Sequence, residues 1–413
     1  MTATAPTPDS VRNDVRDWLA TNWDPDRALV EWRTALVDSG WAVPSWPREW
    51  FGRGLPSWAD KVVSDELRRA GAVGTPLGGG MSLAAPTILE HGSDELRERI
   101  LRPTLTGEAT WTQLFSEPGA GSDLAGLTTT ALRDGDDWIV SGQKVWNTSA
   151  HHADYGMLLA RTDWGVPKHE GISYFVLPMR QSGVEVRPIL QMNRHRSFNE
   201  VFLTDARIPA ANLVGDVGDG WRVARTTLMH ERTFATLRRP SFSANAGRTV
   251  EEAAAEAADH FATYAWYPQR AGRADLVIDR ARRFERTDDR VVRQEIARLV
   301  SFQRASEWTA ERARAARALG RAPGPEGSLG KLAASEVARR SARTHALIAG
   351  AAAMLSDGDD LDAIVAEVLV STPAQSIAGG TDEIQHNIIG ENILGLPREP
   401  AADRGIPFSD VLR

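Results

Sequence analysis

Along the chain, the spacing of apolar positions changes period twice. Over the first ~110 residues it is helical: Val11, Val15, Trp18 and Leu19 recur on one face, with Ser10 as candidate cap. The pattern predicts further helices over Leu29 to Leu36, Trp58 to Ala70, Leu83 to Glu90 and Asp94 to Leu101, interrupted by a Trp/Pro/Gly-rich excursion from Trp41 to Gly54. The period then becomes two. Thr112, Leu114 and Phe115 form a short β-type run, and strand-like stretches follow at 138–146, 156–161, 172–177, 184–188 and 200–203. Turn signals such as Asp134-Gly-Asp-Asp137 separate them, and strands at roughly ten-residue spacing without intervening helices predict an antiparallel barrel or sandwich. From Gly220 onward the spacing is helical again, over Trp221 to Arg238, Thr249 to Tyr264, Val291 to Leu319, Leu329 to Leu355, Leu361 to Leu369 and Asp382 to Leu394. Ala322-Pro-Gly-Pro-Glu-Gly327 reads as a linker. The expectation is an α+β chain in three parts: a helical domain over 1–110, a β domain over 111–216 and a helical domain over 217–413.

Composition narrows the function. A chain of 413 residues is too long for one simple core. The net charge of −7 argues against a nucleic-acid partner. With no Cys there is no disulfide framework, thiol nucleophile or Cys-based metal site. That fits a cytoplasmic protein. No apolar run is long enough to span a membrane. Met1 to Asp9 lacks the features of a signal peptide and reads as a disordered lead-in. The 14 Trp fit aromatic cavity walls as readily as core filling. The Arg clusters (Arg280, Arg282, Arg283; Arg339, Arg340, Arg343) read as solvated faces or ion pairs. The pair His151-His152 has no carboxylate cluster at ligand spacing, so no metal is expected.

The densest chemical signal is Trp111-Thr-Gln-Leu-Phe-Ser-Glu-Pro-Gly-Ala-Gly-Ser-Asp123. A β-type run breaks at Glu117-Pro118 and enters Gly119-Ala-Gly121, where glycine permits positive φ and close backbone approach. Ser122 and Asp123 can cap free backbone N–H groups. Strand, glycine loop and hydroxyl make a cradle for an anion such as a pyrophosphate. On pattern alone an ordinary hairpin fits equally well.

Phe115-Ser-Glu-Pro-Gly-Ala-Gly-Ser-Asp123 resembles the flavin-binding signature of the acyl-CoA dehydrogenase family, as does Gly142-Gln-Lys-Val-Trp-Asn-Thr148. Gly379-Gly-Thr-Asp-Glu-Ile-Gln-His-Asn-Ile-Ile389 with Leu394-Gly-Leu-Pro-Arg398 resembles a third signature. The three stand in family order across most of the chain. The resemblance implies an N-terminal helical domain, a middle antiparallel β domain and a C-terminal four-helix bundle enclosing FAD. It implies cofactor contacts from Phe115, Ser116, Gly121, Ser122, Trp146 and Thr148, with Trp146 lying against the flavin ring. It also implies contacts from Gly380, Thr381 and Glu383. Arg283 stands near a family Arg-x-x-Phe-Gly stretch that reaches the FAD of a neighbouring subunit, although Arg283-Phe-Glu-Arg-Thr287 departs from that text.

The family removes an α-proton from an acyl-CoA and passes the β-hydrogen as hydride to the flavin. The base must be a carboxylate in a dry pocket. At the commonest base position this chain has Gly379. The isovaleryl and long-chain types carry the base on the helix opening the C-terminal bundle, just before an Arg, and here that text is Met229-His-Glu231-Arg232. Independently of the resemblance, Ala224, Thr227, Leu228, Glu231, Phe234 and Ala235 share one helical face. An acid in that apolar stripe is costly unless functional or paired with an arginine such as Arg232 or Arg238. The resemblance thus implies Glu231 as base, Arg232 as its positioning partner, and an electron-transferring flavoprotein or similar acceptor. It also implies a dimeric or tetrameric, homo- or hetero-oligomeric assembly. Bulky acyl groups, steroid side chains among them, fit a wall made small by Ala378 and Gly379. Two rivals stay open: an oxygen-using flavoenzyme on the same fold, and a non-catalytic subunit of a heteromeric dehydrogenase.

Overall fold

The computed structural model of the chain describes residues 5–234, 247–319, 321, 324–354, 360–401 and 403–411. They form two compact units, one of residues 1–189, 196–263 and 403–413, the other of residues 190–195 and 264–402.

The first unit opens with helices α1 (Pro8–Asn22), α2 (Leu29–Asp38), α3 (Trp58–Ala70), α4 (Ala85–His91) and α5 (Asp94–Thr106). The cap of α1 is Thr7, not Ser10. Its hydroxyl accepts from the Ser10 N–H at 3.2 Å and its own N–H donates to the Ser10 Oγ at 3.0 Å. Ser10 is the reciprocal half of a capping box, and Pro8 takes the first helical position, where no N–H is required. Helical structure therefore begins inside the expected lead-in. Val11, Val15 and Leu19 face Trp32, whose ring meets Trp18 and Trp23 at 5.6 and 4.6 Å. The Trp32 indole N–H is satisfied by the Val73 carbonyl at 2.7 Å. Here tryptophan is core filling.

The β region is a single eight-stranded sheet. Its strands are β1 (Trp111–Leu114), β2 (Thr130–Asp134), β3 (Asp137–Thr148), β4 (Tyr155–Arg161), β5 (Ile172–Pro178), β6 (Val184–Pro188), β7 (Phe198–Pro209) and β8 (Leu213–Val214). The order is β6-β7-β3-β2-β4-β5-β8, with β1 beside β4. Most pairs are antiparallel, but β1 joins β4 in parallel and β2 meets β4 in parallel, so the sheet is mixed. Alternation alone does not reveal this, because residue period is the same in either pairing. The long β3–β7 pair slips register twice, between Val140 and Gly142 and between Lys144 and Asn147. Gly142 is glycine because a Cβ there would lie 2.4 Å from the Thr129 Oγ1.

Two further helices complete this unit, α6 (Gly220–Phe234) and α7 (Arg248–Thr263). The expected extension of α6 to Arg238 lies outside the described residues. One core cluster joins α4, α5, the sheet and α6 through Ile88, Ile100, Leu159, Tyr174 and Val223.

The second unit contains α8 (Tyr267–Arg270), α9 (Val277–Arg283), α10 (Arg290–Ala318), α11 (Glu326–Ala349), α12 (Asp360–Ser371), α13 (Pro373–Ile377) and α14 (Asp382–Asn392). Positions 322 and 323 of the expected linker lie outside the described residues, and α11 already begins at Glu326. Arg280 departs from the solvated-face expectation: it is fully buried, with its guanidinium 5.0 Å from the Phe284 ring. Among the described residues, no helix is long and apolar enough to cross a membrane.

Candidate flavin and acyl-CoA site

In the first unit, the chain from Thr112 to Ser116 runs alongside the end of β3. The Thr112 hydroxyl donates to the Thr148 carbonyl at 2.9 Å, Asn147 Nδ2 donates to the Gln113 carbonyl at 2.7 Å, and the Val145 N–H donates to the Ser116 carbonyl at 2.9 Å. Phe115, Ser116, Trp146 and Thr148 are thereby brought together. The Phe115 ring itself is buried in the core, edge-on to Tyr174 at 5.8 Å, so only its backbone faces the loop. Ser116 and Thr148 are half-buried.

Trp146 lies in the second bulge of β3. Its φ is +64° and its indole is 58% exposed, touching Phe198 edge-on at 5.8 Å. A bulky side chain in the left-handed region costs about 1–3 kcal/mol and persists only where surroundings hold it there. An exposed ring in that conformation gains little from folding and is set up to meet a ligand.

Glu117 to Ala120 close a tight hairpin by two backbone hydrogen bonds of 3.0 and 3.1 Å. Neither Gly119 nor Gly121 has a positive φ, contrary to expectation. Their use is space: a Cβ on either would meet nothing within 4 Å, leaving the hairpin face open. Ser122 is exposed beside them. An open hairpin next to a projecting flat ring suits a planar cofactor with an anionic tail, so the residues present fit FAD.

Sequence reasoning missed the ion pair that holds this cradle. Lys144 is fully buried, and its Nζ donates to Glu117 Oε1 at 2.8 Å and to the Phe115 carbonyl at 3.1 Å. Glu117 also accepts from the N–H groups of Thr128 and Thr129 at 2.7 and 2.9 Å. Burial alone would raise the Glu117 pKa, but Lys144 and the Thr128 and Thr129 donors outweigh it and hold the carboxyl at about 2. Burial draws Lys144 downward, opposed by the Glu117 carboxylate. A lysine within a half-apolar strand was the available signal.

In α6, Val223, Ala224 and Thr227 are buried and Leu228 packs on the core. Thr227 lies 3.0 Å from the Thr87 hydroxyl and 3.3 Å from the Tyr174 hydroxyl. Glu231 continues this face one turn on and is half-buried. Arg232 is in the last turn of α6, but its side chain, like those of Phe234, Ala235 and Arg238, lies outside the described residues. His230 is shifted below its ordinary pKa by burial.

The third signature is in the second unit. Gly379 and Gly380 have φ of +68° and +85°, and Thr381 caps α14 by accepting from the Ile384 N–H at 3.2 Å. Asp382 is buried and bonded to Arg339 at 2.6 Å and Lys331 at 3.2 Å. Against the effect of burial, Arg339, Ser335 and Lys331 hold it near 2. Glu383 is exposed on the first turn. Arg283 is exposed at the end of α9. His151 and His152 pack ring against ring at 3.9 Å, and no group of His, Asp or Glu that could hold a metal occurs among the described residues.

An open glycine hairpin beside a projecting indole suits a flavoprotein, and an acid lies on an apolar helix face of the same unit. The chain matches the acyl-CoA dehydrogenase N-terminal domain over residues 6–108, the middle domain over 112–206 and the C-terminal domain over 218–394. It belongs to the acyl-CoA dehydrogenase family, whose members are FAD-dependent oxidoreductases. It is 34% identical over 411 residues to the acyl-CoA dehydrogenase IpdE1 of Mycobacterium tuberculosis, covering 94% of this chain and 97% of that protein. It is 37% identical over 368 residues to FadE34 of the same organism, covering 89% of this chain but only 46% of FadE34. Among solved structures, the Tcur3481-Tcur3483 steroid ACAD superposes with a TM-score of 0.64 at 25% identity, covering 97% of this chain and 100% of that one. The ChsE4-ChsE5 complex from Mycobacterium tuberculosis gives 0.62 at 27% identity, with 97% and 100% covered.

Proposed function

We propose that this chain dehydrogenates an acyl-CoA thioester between the α and β carbons, giving the 2,3-enoyl-CoA. FAD, when bound, supplies the acceptor for the β-hydrogen, which leaves as hydride. The chain's own part is to bind, orient and deprotonate. Glu231 is the base that takes the α-proton on its carboxylate, and Arg232 is its positioning partner. The observation that carries this is the pairing of two positions. Glu231 prolongs the buried face of Val223, Ala224 and Thr227, whereas Gly379, at the other base position of the family, has no side chain to offer. Phe115, Ser116, Gly121, Ser122, Trp146 and Thr148 are the cofactor contacts assigned to the first unit. Gly380, Thr381, Glu383 and Arg283 are the contacts assigned to the helical C-terminal part. The three-part division at 110 and 216 follows the same reading.

Kinship with a steroid ACAD favours a bulky acyl group, and the bare Gly379 is compatible with one. An electron-transferring flavoprotein is the proposed acceptor, and an oligomer, homomeric or heteromeric, the proposed state. The test is anaerobic bleaching of the flavin band by a panel of acyl-CoAs, with Glu231→Gln alongside. Bleaching by one acyl class, lost in the variant while FAD stays bound, is expected. Flavin-containing protein that no acyl-CoA bleaches, or a Glu231→Gln enzyme that bleaches normally, overturns the assignment.

A further inference from the structure

The segment from Asp403 to Asp410 returns to the β region. The Phe408 and Ser409 N–H groups donate to the Val166 and Trp164 carbonyls, both at 2.9 Å. The Phe408 ring is buried, 3.7 Å from the Arg161 guanidinium and 5.4 Å from the Trp164 ring. Arg161 is fully buried, and it donates to the Ala125 carbonyl at 2.6 Å and the Leu127 carbonyl at 3.1 Å. Both carbonyls lie a few residues beyond Gly121-Ser122. A second link runs in parallel. Lys168 Nζ lies 2.6 Å from the Asp403 carboxylate and 2.8 Å from that of Asp123, the residue after Ser122.

We propose that residues 403–411 form a clasp that positions the phosphate end of the flavin loop, with Phe408 and Asp403 as positioning residues. The proposal rests on the reading of Gly121-Ser122 as a cofactor contact. Phe408 covers Arg161 and keeps water from its donors, and Arg161 fixes the carbonyls of Ala125 and Leu127. Asp403 shares Lys168 with Asp123. The exposed Gly121 and Ser122 have little packing of their own, so their placement depends on residues 123–127. A loop held in its bound conformation saves the ordering cost on binding, so loosening it weakens affinity without removing any ligand contact.

The test uses the full chain, with FAD affinity read by flavin fluorescence on the apoprotein and amide hydrogen exchange read at 126–127 and 408–409. Phe408→Ala should raise the FAD dissociation constant about tenfold, since a desolvated cation–π contact and its shielding are lost. Exchange should quicken at Gly126 and Leu127 as well as at the tail. Phe408→Tyr keeps the ring and should restore both. Asp403→Asn removes a half-buried charge and should raise the constant roughly threefold. If the tail exchanges freely in Phe408→Ala while affinity and exchange at 126–127 match the parent, the clasp is refuted. Should Phe408→Ala fail to fold, unchanged affinity in Asp403→Asn refutes it. A parent chain that takes up no FAD defeats the flavin reading instead, and the exchange coupling between 408–409 and 126–127 then still reports on the clasp.

Discussion

Replacing Lys144 by Met tests whether the flavin cradle is held by charge. Methionine has nearly the volume of the lysine side chain and is apolar, so packing around β3 is preserved while the ammonium disappears. Two bonds go with it, to Glu117 Oε1 at 2.8 Å and to the Phe115 carbonyl at 3.1 Å. Removing one partner of a buried pair costs about 3–5 kcal/mol. Glu117 keeps the Thr128 and Thr129 N–H groups, so the low end, about 3 kcal/mol, is expected here. Against a stability of about 5–15 kcal/mol the chain still folds. The strain falls on the hairpin 117–120 and on Ser116, whose carbonyl is tied to Val145 next to Lys144. Denaturant unfolding of the apoprotein should show the loss, and FAD titration should show affinity lower by about ten- to a hundredfold. Lys144→Met with Glu117→Gln removes both charges, and part of the stability should return, because a neutral amide can still accept from Thr129 although its NH2 then faces the Thr128 N–H. If Lys144→Met unfolds within about 1 kcal/mol of the parent and binds FAD as tightly, or if the double variant is no better than the single, the ion pair does not hold the cradle.

The same geometry sets three further outcomes. Glu117 has its folded pKa depressed from 4.5 to about 2, so its stabilisation is fully present above pH 4.5 and is lost as pH falls toward 2. The displacement is worth about 3 kcal/mol, so acid unfolding should steepen over that window, and less so in Lys144→Met. Trp146→Asn relieves the left-handed backbone at small packing cost. The apoprotein should become about 1 kcal/mol more stable by denaturant unfolding while FAD binding weakens, and a destabilised apoprotein would contradict the strain argument. Gly379→Glu enters open space at a backbone cost of about 1 kcal/mol. It should narrow the range of acyl-CoAs that bleach the flavin, and unchanged tolerance would count against a role for Gly379 in acyl selection.

The change from helical to strand-like spacing and back was legible because buried faces demand it, and β3 and β7 follow the alternation in part, whereas β4 and β5 are buried on both faces and carry nearly continuous apolar runs instead. Conformation within those elements was not. The left-handed Trp146 depends on a register slip between β3 and β7, a tertiary event with no local mark. The glycines of the hairpin serve as open space and not for positive φ, and Gly-Ala-Gly as text is compatible with either. Ser10 looked like a cap because it precedes the apolar stripe, but the helix starts a turn earlier, where Pro8 supplies the first position. Arg280 read as solvated by its charge, yet a long side chain over a ring can be buried entirely. The candidate base was visible as an acid on an apolar face. Arg232 falls where the described side chains end.

The two signature turns share an arrangement that their texts alone do not explain. Each contains an acid directed inward and bonded to cations from elsewhere: Glu117 to Lys144, and Asp382 to Arg339 and Lys331. Both carboxyls are held near a pKa of 2 despite burial. Next to each stand groups directed outward: Ser122 and Trp146 in the first unit, Glu383 in the second. A buried carboxylate whose oxygens are already taken by cations and N–H donors is committed to the fold and has none free for a ligand. The inward acids therefore act by fixing backbone, and the outward groups are the ones the proposed cofactor reading needs. Motif residues that look equivalent as text divide into buried anchors and exposed groups once burial is known.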